Sequence, residues 1–148
     1  ALYIYHPLVS LNEVGGNPAS SGTSVDEFHR ALRTRQQRMP YTLNATSTHD
    51  TKRSEDVRAR INVLSELPSE WEKHLGRWSK WNRAKKPLAN GVAVPDKNEE
   101  VFIYQTLIGV WPLREEEVAG LKERLEQYVI KAARETKVHT RWLGPNLE

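Results

Sequence analysis

The sequence contains no cysteine. That excludes disulfide bridges, thiolate metal sites and cysteine nucleophiles together, and it fits a reducing compartment. No apolar run approaches the roughly 18–20 residues that span a bilayer, and no basic-then-apolar stretch of the secretory kind opens the chain. The expectation is a cytoplasmic protein with no membrane partner. Charge of one sign is also missing: 22 Lys and Arg stand against 19 Asp and Glu, for a formal net charge of +3, and acidic residues interrupt nearly every basic run. Nucleic-acid binders collect positive charge on one face or stripe, so nucleic acid is not an expected partner. His6, His29, His74 and His139 stand apart with no two at i, i+4, so the helical zinc motif is absent and no metal or cofactor is expected. Neither a fixed-period repeat nor a low-complexity tract is present.

What is present is a chain of 148 residues, 38% hydrophobic and 28% charged, which suits one domain or a piece of a larger one and argues against disorder. The chain opens Ala1-Leu2-Tyr3 inside an apolar patch without an initiator methionine, which gives the expectation of an excised piece. The patch, Leu2 to Val9, is too short to assign by period. Gly15-Gly16-Asn17-Pro18 and Ser20-Ser21-Gly22 supply turn chemistry. Ser24 with Glu27 then forms a capping box ahead of Val25, Phe28, Ala31, Leu32 and Met39 at helical spacing, and Pro40 closes that helix. Arg30, Arg33, Arg35 and Arg38 lie between the apolar positions and are read as a solvated face.

Tyr41 to Thr48, rich in β-branched residues, reads as a strand. With no second convincing strand to pair with, it must pair outside this stretch or run as an irregular extended segment. A second helix is expected from about Ser54 to Pro68, with Val57, Ile61 and Leu64 on its apolar face, and a third from Ser69, capped with Glu72 and carrying Trp71, Leu75, Trp78 and Trp81. Core packing is the cheapest explanation of that indole row, with sugar stacking by Trp71, Trp78, Trp81 or Trp111 as the alternative. A long loop over 85–98, a helix over 99–111 and a last helix over 114–136 complete the pattern. The fold class expected is mainly α: about five helices and at most one or two short strands.

The densest chemistry is Thr46-Ser47-Thr48-His49-Asp50-Thr51-Lys52-Arg53, between the expected strand and the second helix. Strand ends followed by βα loops are where α/β barrels place catalytic groups. Composition alone favours a solvated polar loop and an N-terminal helix turn with local ion pairs. Glu13, ahead of Gly15-Gly16, reads as a structural loop carboxylate.

The run from Thr46 to Arg60 resembles the signature of the maltooligosyltrehalose synthase family, within the α-amylase glycoside hydrolase superfamily. Ser10 to Gly16, Tyr104-Gln105-Thr106-Leu107 and Trp142 to Asn146 resemble that family in the same order and at similar separations. The resemblance implies a partial domain from a longer (β/α)8-barrel enzyme, with residues 1–67 from the late catalytic barrel and 68–148 from a helical subdomain. It also implies an activity: rearrangement of the reducing-end α-1,4 bond of a maltooligosaccharide substrate to an α,α-1,1 bond, through a retaining mechanism with two carboxyl groups about 5–5.5 Å apart. Neither the nucleophile nor the acid/base has a matching motif here, so the chain alone is expected to be inactive. By the same resemblance Asp50 is the third acidic residue, stabilising the charged transition state, His49 hydrogen-bonds the same sugar, and Lys52 holds the released glucose. Arg53 is placed with the substrate-binding set, more as an orienting group than a sugar contact. The alternative class is a helical interaction or nucleic-acid-binding module without catalysis.

Overall fold

The computed structural model describes residues 3–20 and 22–146. Ala1, Leu2, Ser21, Leu147 and Glu148 lie outside the described residues, and with them the start of the Leu2 to Val9 patch and the middle of Ser20-Ser21-Gly22. Among the described residues the chain forms five α-helices and one short hairpin: α1 (Val25–Arg38), α2 (Glu55–Asn62), α3 (Pro68–Asn82), β1 (Leu88–Ala89), β2 (Val92–Ala93), α4 (Lys97–Val110) and α5 (Leu121–Thr136). None of these helices is long and apolar enough to cross a membrane.

Local chemistry explains most of the boundaries. The Ser24 Oγ accepts the Glu27 N–H at 3.2 Å and the Glu27 carboxylate accepts the Ser24 N–H at 3.0 Å, so α1 starts on the expected capping box and ends before Pro40. A second capping box, Asp96 with Glu99, starts α4. The expected box of Ser69 and Glu72 does not form. Pro68 takes the first helical position of α3, with Leu67 as an N-cap that contributes no side-chain bond, because a fixed proline φ already suits that site. The last helix begins at Leu121 rather than near Arg114; Glu115–Glu117 form a separate 3-10 turn. Gly120 lies between the two, where a residue of poor helix propensity favours a break.

The expected strand is corrected outright. Residues 41–48 pair with no strand and run as exposed, irregular chain, the second of the two outcomes available to an extended segment without a ladder partner. The strands present lie instead in the expected loop, where Leu88 pairs with Ala93 and Ala89 with Val92. Asn90 and Gly91, at φ of +51° and +78°, make the tight turn that this dipeptide favours.

One buried cluster holds the helices together. Val9 from a 3-10 turn, Ile61 from α2, Phe102 from α4 and Ala132 from α5 are its buried residues, flanked by Leu8, Val57, Leu64, Tyr128 and Val129. Burial of each large side chain contributes roughly 1.5–3 kcal/mol. Helix α2 packs chiefly on α4, and the approach is close at Gly109: a Cβ there would sit 2.7 Å from Val57 Cγ1 and 3.0 Å from Ile61 Cδ1. Gly109→Ala is therefore expected to destabilise the protein by about 1–3 kcal/mol through overpacking, read as a lowered denaturation midpoint at an unchanged slope. An unchanged midpoint would contradict the packing at this crossing.

Buried polar groups add specificity. Gln105, fully buried, accepts the Val9 N–H at 2.8 Å and donates to the His6 carbonyl at 2.8 Å, so it fastens the N-terminal segment to α4. Glu100 is almost fully buried and accepts from Lys86 Nζ at 2.7 Å, Tyr104 Oη at 2.6 Å and Ser79 Oγ at 3.1 Å. Burial pushes its carboxyl up, but these donors outweigh burial and hold it below the usual carboxylate range.

Candidate functional site

The His49-Asp50-Thr51-Lys52 segment is a turn whose tip faces solvent. Thr51 donates its N–H to the Thr48 carbonyl at 3.2 Å, and its hydroxyl accepts the Thr48 N–H at 2.7 Å, closing the tip on itself. His49 Nε2 lies 3.4 Å from Asp50 Oδ2, with side-chain exposures of 91% and 67%. Both groups are thus offered outward. Lys52 is half-buried.

The foot of the turn is held from outside. The Glu13 carboxylate accepts the Lys52 N–H at 2.7 and 3.0 Å through its two oxygens and the Arg53 N–H at 3.0 Å. Arg58 lies 4.0 Å from Glu13 Oε2 and donates to the Arg53 carbonyl at 3.2 Å and to the Thr46 carbonyl. Arg53 itself turns inward. Only 7% exposed, it lays its guanidinium over the Phe102 ring, 5.8 Å from the centroid, within the range of a cation–π contact. It anchors the turn to the core, whereas His49 and Asp50 stay exposed beside each other.

The expected indole core takes a different form. Trp71 and Trp78 are half-buried, and Trp81 and Trp111 are exposed. Trp71 meets Trp78 edge-on at 6.1 Å, Trp78 meets Tyr104 at 5.3 Å, and Trp78, Tyr104, Leu107, Ile108 and Trp111 line an apolar groove of about 480 Å³. The aromatic row therefore forms the wall of a groove, and aliphatic packing around Ile61 and Val9 forms the buried centre. Helical spacing identifies the shared face but not what covers it.

His139, isolated in sequence, meets Asp96 in space: Nε2 lies 2.9 Å from Oδ2. With Glu99 they bring three possible ligand atoms within 4.8 Å of one another. The capping box already engages Asp96 Oδ1 and Glu99 Oε2, which leaves Asp96 Oδ2 to pair with His139. The Asp96 hydrogen bond raises the His139 pKa above its usual value. Partial burial pushes Asp96 up, but the Glu99 N–H and His139 outweigh it and hold Asp96 below its usual value. The histidine contribution is therefore full below about pH 6.5 and lost as pH rises through the raised value, while the aspartate contribution is lost as pH falls below about 4. Titration of the His139 ring by NMR is expected to show a midpoint above 6.5 that Asp96→Asn lowers; an identical midpoint in the variant would contradict the pairing.

Solved structures sharing this fold are glycosyl- and maltooligosyl-trehalose synthases. A glycosyltrehalose synthase superposes with a TM-score of 0.81 at 44% identity, over 99% of this chain and 18% of that protein. The maltooligosyltrehalose synthase of Arthrobacter ramosus does so with a TM-score of 0.79 at 38% identity, over 98% of this chain and 17% of that protein. By sequence, a Mycobacterium tuberculosis protein named as a maltooligosyl trehalose synthase is 45% identical over 140 residues, which is 94% of this chain. The chain spans 17% of that relative's length. No protein-family model matches the chain. The resemblance to maltooligosyltrehalose synthases thus holds across nearly the whole sequence and fold, and the comparisons do not favour a self-standing interaction or nucleic-acid-binding module.

Sequence reasoning places His49, Asp50 and Lys52 in a loop ahead of the second helix, and the structure has that segment as turn and bend before α2. Sequence reasoning undervalues Glu13 and passes over Arg58, although a carboxylate ahead of paired glycines is a signal that a loop aims it.

Proposed function

We propose that the chain is one part of a maltooligosyltrehalose synthase, an intramolecular glucosyl transferase that converts the reducing-end α-1,4 bond of a maltooligosaccharide to an α,α-1,1 bond. The observation that carries this is the 45% identity over 94% of the chain, which includes the His49 to Lys52 turn. Exposed apolar residues support an incomplete surface: Tyr41 and Leu43 are 96% and 98% exposed, and Val25, Phe28, Leu32 and Met39 leave the apolar side of α1 and its end uncovered. Monomeric surfaces rarely leave so much apolar area open.

In this account Asp50 faces the anomeric centre as positive charge develops there. A fixed carboxylate interacts more strongly with that charge than with the neutral ground state, and only such a difference lowers the barrier. His49 hydrogen-bonds hydroxyls of the same glucosyl unit. Lys52 donates to the released glucose, which must stay and turn so that its anomeric hydroxyl, rather than water, attacks the glycosyl-enzyme. The nucleophile and the acid/base come from parts of the enzyme outside this chain, and Arg53 steadies the turn from beneath.

The test is incubation with maltopentaose, following loss of reducing ends against release of glucose. The longer protein carrying this sequence is expected to convert the substrate to a non-reducing product, and the 148-residue chain is expected to show no turnover. Conversion by the chain alone would contradict the placement of nucleophile and acid outside it; absence of non-reducing product from the longer protein would contradict the proposed activity.

A further inference from the structure

We infer that Glu13, locked by Arg58, is a positioning residue for the sugar-facing turn, setting the separation of Asp50 from Lys52. The inference rests on the proposed function and extends it to two residues that reach no sugar themselves.

The turn has little to hold its own shape. No helix or strand covers residues 41–53, and the Thr48 and Thr51 bonds close only the tip. Besides the Arg53 side chain on Phe102, the foot is held by Glu13 and Arg58. Two successive backbone N–H groups, of Lys52 and Arg53, converge on one carboxylate 39 and 40 residues earlier in the chain. Successive N–H groups aimed at one point make an anion-binding concavity, and here a side chain of the same protein fills it. Charge-assisted bonds of this kind are roughly twice as strong as neutral ones. Arg58, from the first turns of α2, sits beside Glu13 and bonds carbonyls on both sides of the sugar-facing residues, at Thr46 and Arg53. The turn is pinned at entry and exit.

Glu13 is itself aimed by a tight turn. The Gly16 N–H donates to the Glu13 carbonyl at 2.9 Å, Gly15 takes a φ of +75°, and a Cβ on Gly16 would sit 3.1 Å from that carbonyl oxygen. Glycine at both positions permits this geometry, which explains why Glu13-Val14-Gly15-Gly16 stands at a site that makes no substrate contact. Because Lys52 gives its own N–H to Glu13, a slip at the foot displaces the residue that retains glucose before it displaces Asp50. The expected consequence is escape of glucose, so that water completes the reaction.

The experiment uses the longer protein with Glu13→Ala, Glu13→Gln and Arg58→Ala, and Leu121→Ala as a control that perturbs buried packing on α5, a helix that carries neither Glu13 nor Arg58. Assays run below each variant's unfolding transition. Glu13→Ala is expected to raise the ratio of hydrolysis to isomerisation by about tenfold, in line with the cost of small misplacements. Glu13→Gln, which keeps one acceptor oxygen, is expected to recover part of that ratio, and Leu121→Ala to leave it unchanged. Hydrogen–deuterium exchange over residues 46–53 should accelerate in Glu13→Ala without substrate. A native ratio with native exchange in Glu13→Ala would overturn the inference, as would a ratio in Leu121→Ala that rises as much. If the unaltered protein forms no non-reducing product, the proposed function fails instead, and the exchange measurement alone decides whether Glu13 holds the turn.

Discussion

Asp50→Asn in the longer protein is expected to lower the turnover number for non-reducing product by about 10²–10³-fold, the scale on which one preorganised charge at a transition state is felt. The substitution conserves shape, removes the charge and turns one acceptor oxygen into an NH2 donor. Its cost should not appear in stability, because the Asp50 side chain is 67% exposed and its one ion-pair partner, His49, is 91% exposed. Surface changes of this kind stay within about 0.5 kcal/mol. Steady-state rates on maltopentaose beside a denaturation curve separate the two effects. A fall in turnover with an unshifted midpoint fits an electrostatic role, whereas near-native turnover would remove Asp50 from the chemistry.

Gln105→Leu is expected to act in the opposite manner, strongly on stability and on no reacting atom. Leucine neither accepts from the Val9 N–H nor donates to the His6 carbonyl, both of which Gln105 now serves. Each buried group left without its partner costs about 1–3 kcal/mol, so the pair amounts to roughly 2–6 kcal/mol, a large part of the roughly 5–15 kcal/mol that holds a typical domain. Gln105→Glu retains an acceptor for Val9 but sets a second oxygen against the His6 carbonyl, and it should fall with Gln105→Leu rather than near the native protein. Chemical denaturation measures both. A native midpoint in either variant would contradict the clasp between the N-terminal segment and α4.

These two residues mark how far the sequence could be read. The nearness of Asp50 to His49 was legible because both lie in one short run, and a tight turn keeps neighbours in sequence as neighbours in space. Helices with a capping box or a proline stop were legible for the same reason: Ser24 with Glu27 and Pro40 act within a turn of their own residues. Gln105 was not. Its partners lie 96 and 99 residues away, and helical spacing with Val101, Tyr104 and Ile108 puts Gln105 on a shared face without showing what it bonds. A separation of 39 residues likewise conceals the bond of Glu13 to Lys52. Residues 41–48 have the composition of a strand, yet a strand exists only through a ladder, and no described residue supplies one. The aromatic row of α3 was legible as a face, but what lies opposite a face is a tertiary fact.

The central claim is that the outer side of the Thr48–Thr51 turn meets a glucan. A crystal structure of the longer protein with bound maltooligosaccharide tests it most directly. The account predicts an Asp50 carboxylate oxygen within about 2.5–3.0 Å of a hydroxyl on the glucosyl unit at the scissile bond, with Lys52 Nζ on the unit beyond it. A complex in which that carboxylate points to solvent, with the sugar bound elsewhere, would contradict the account.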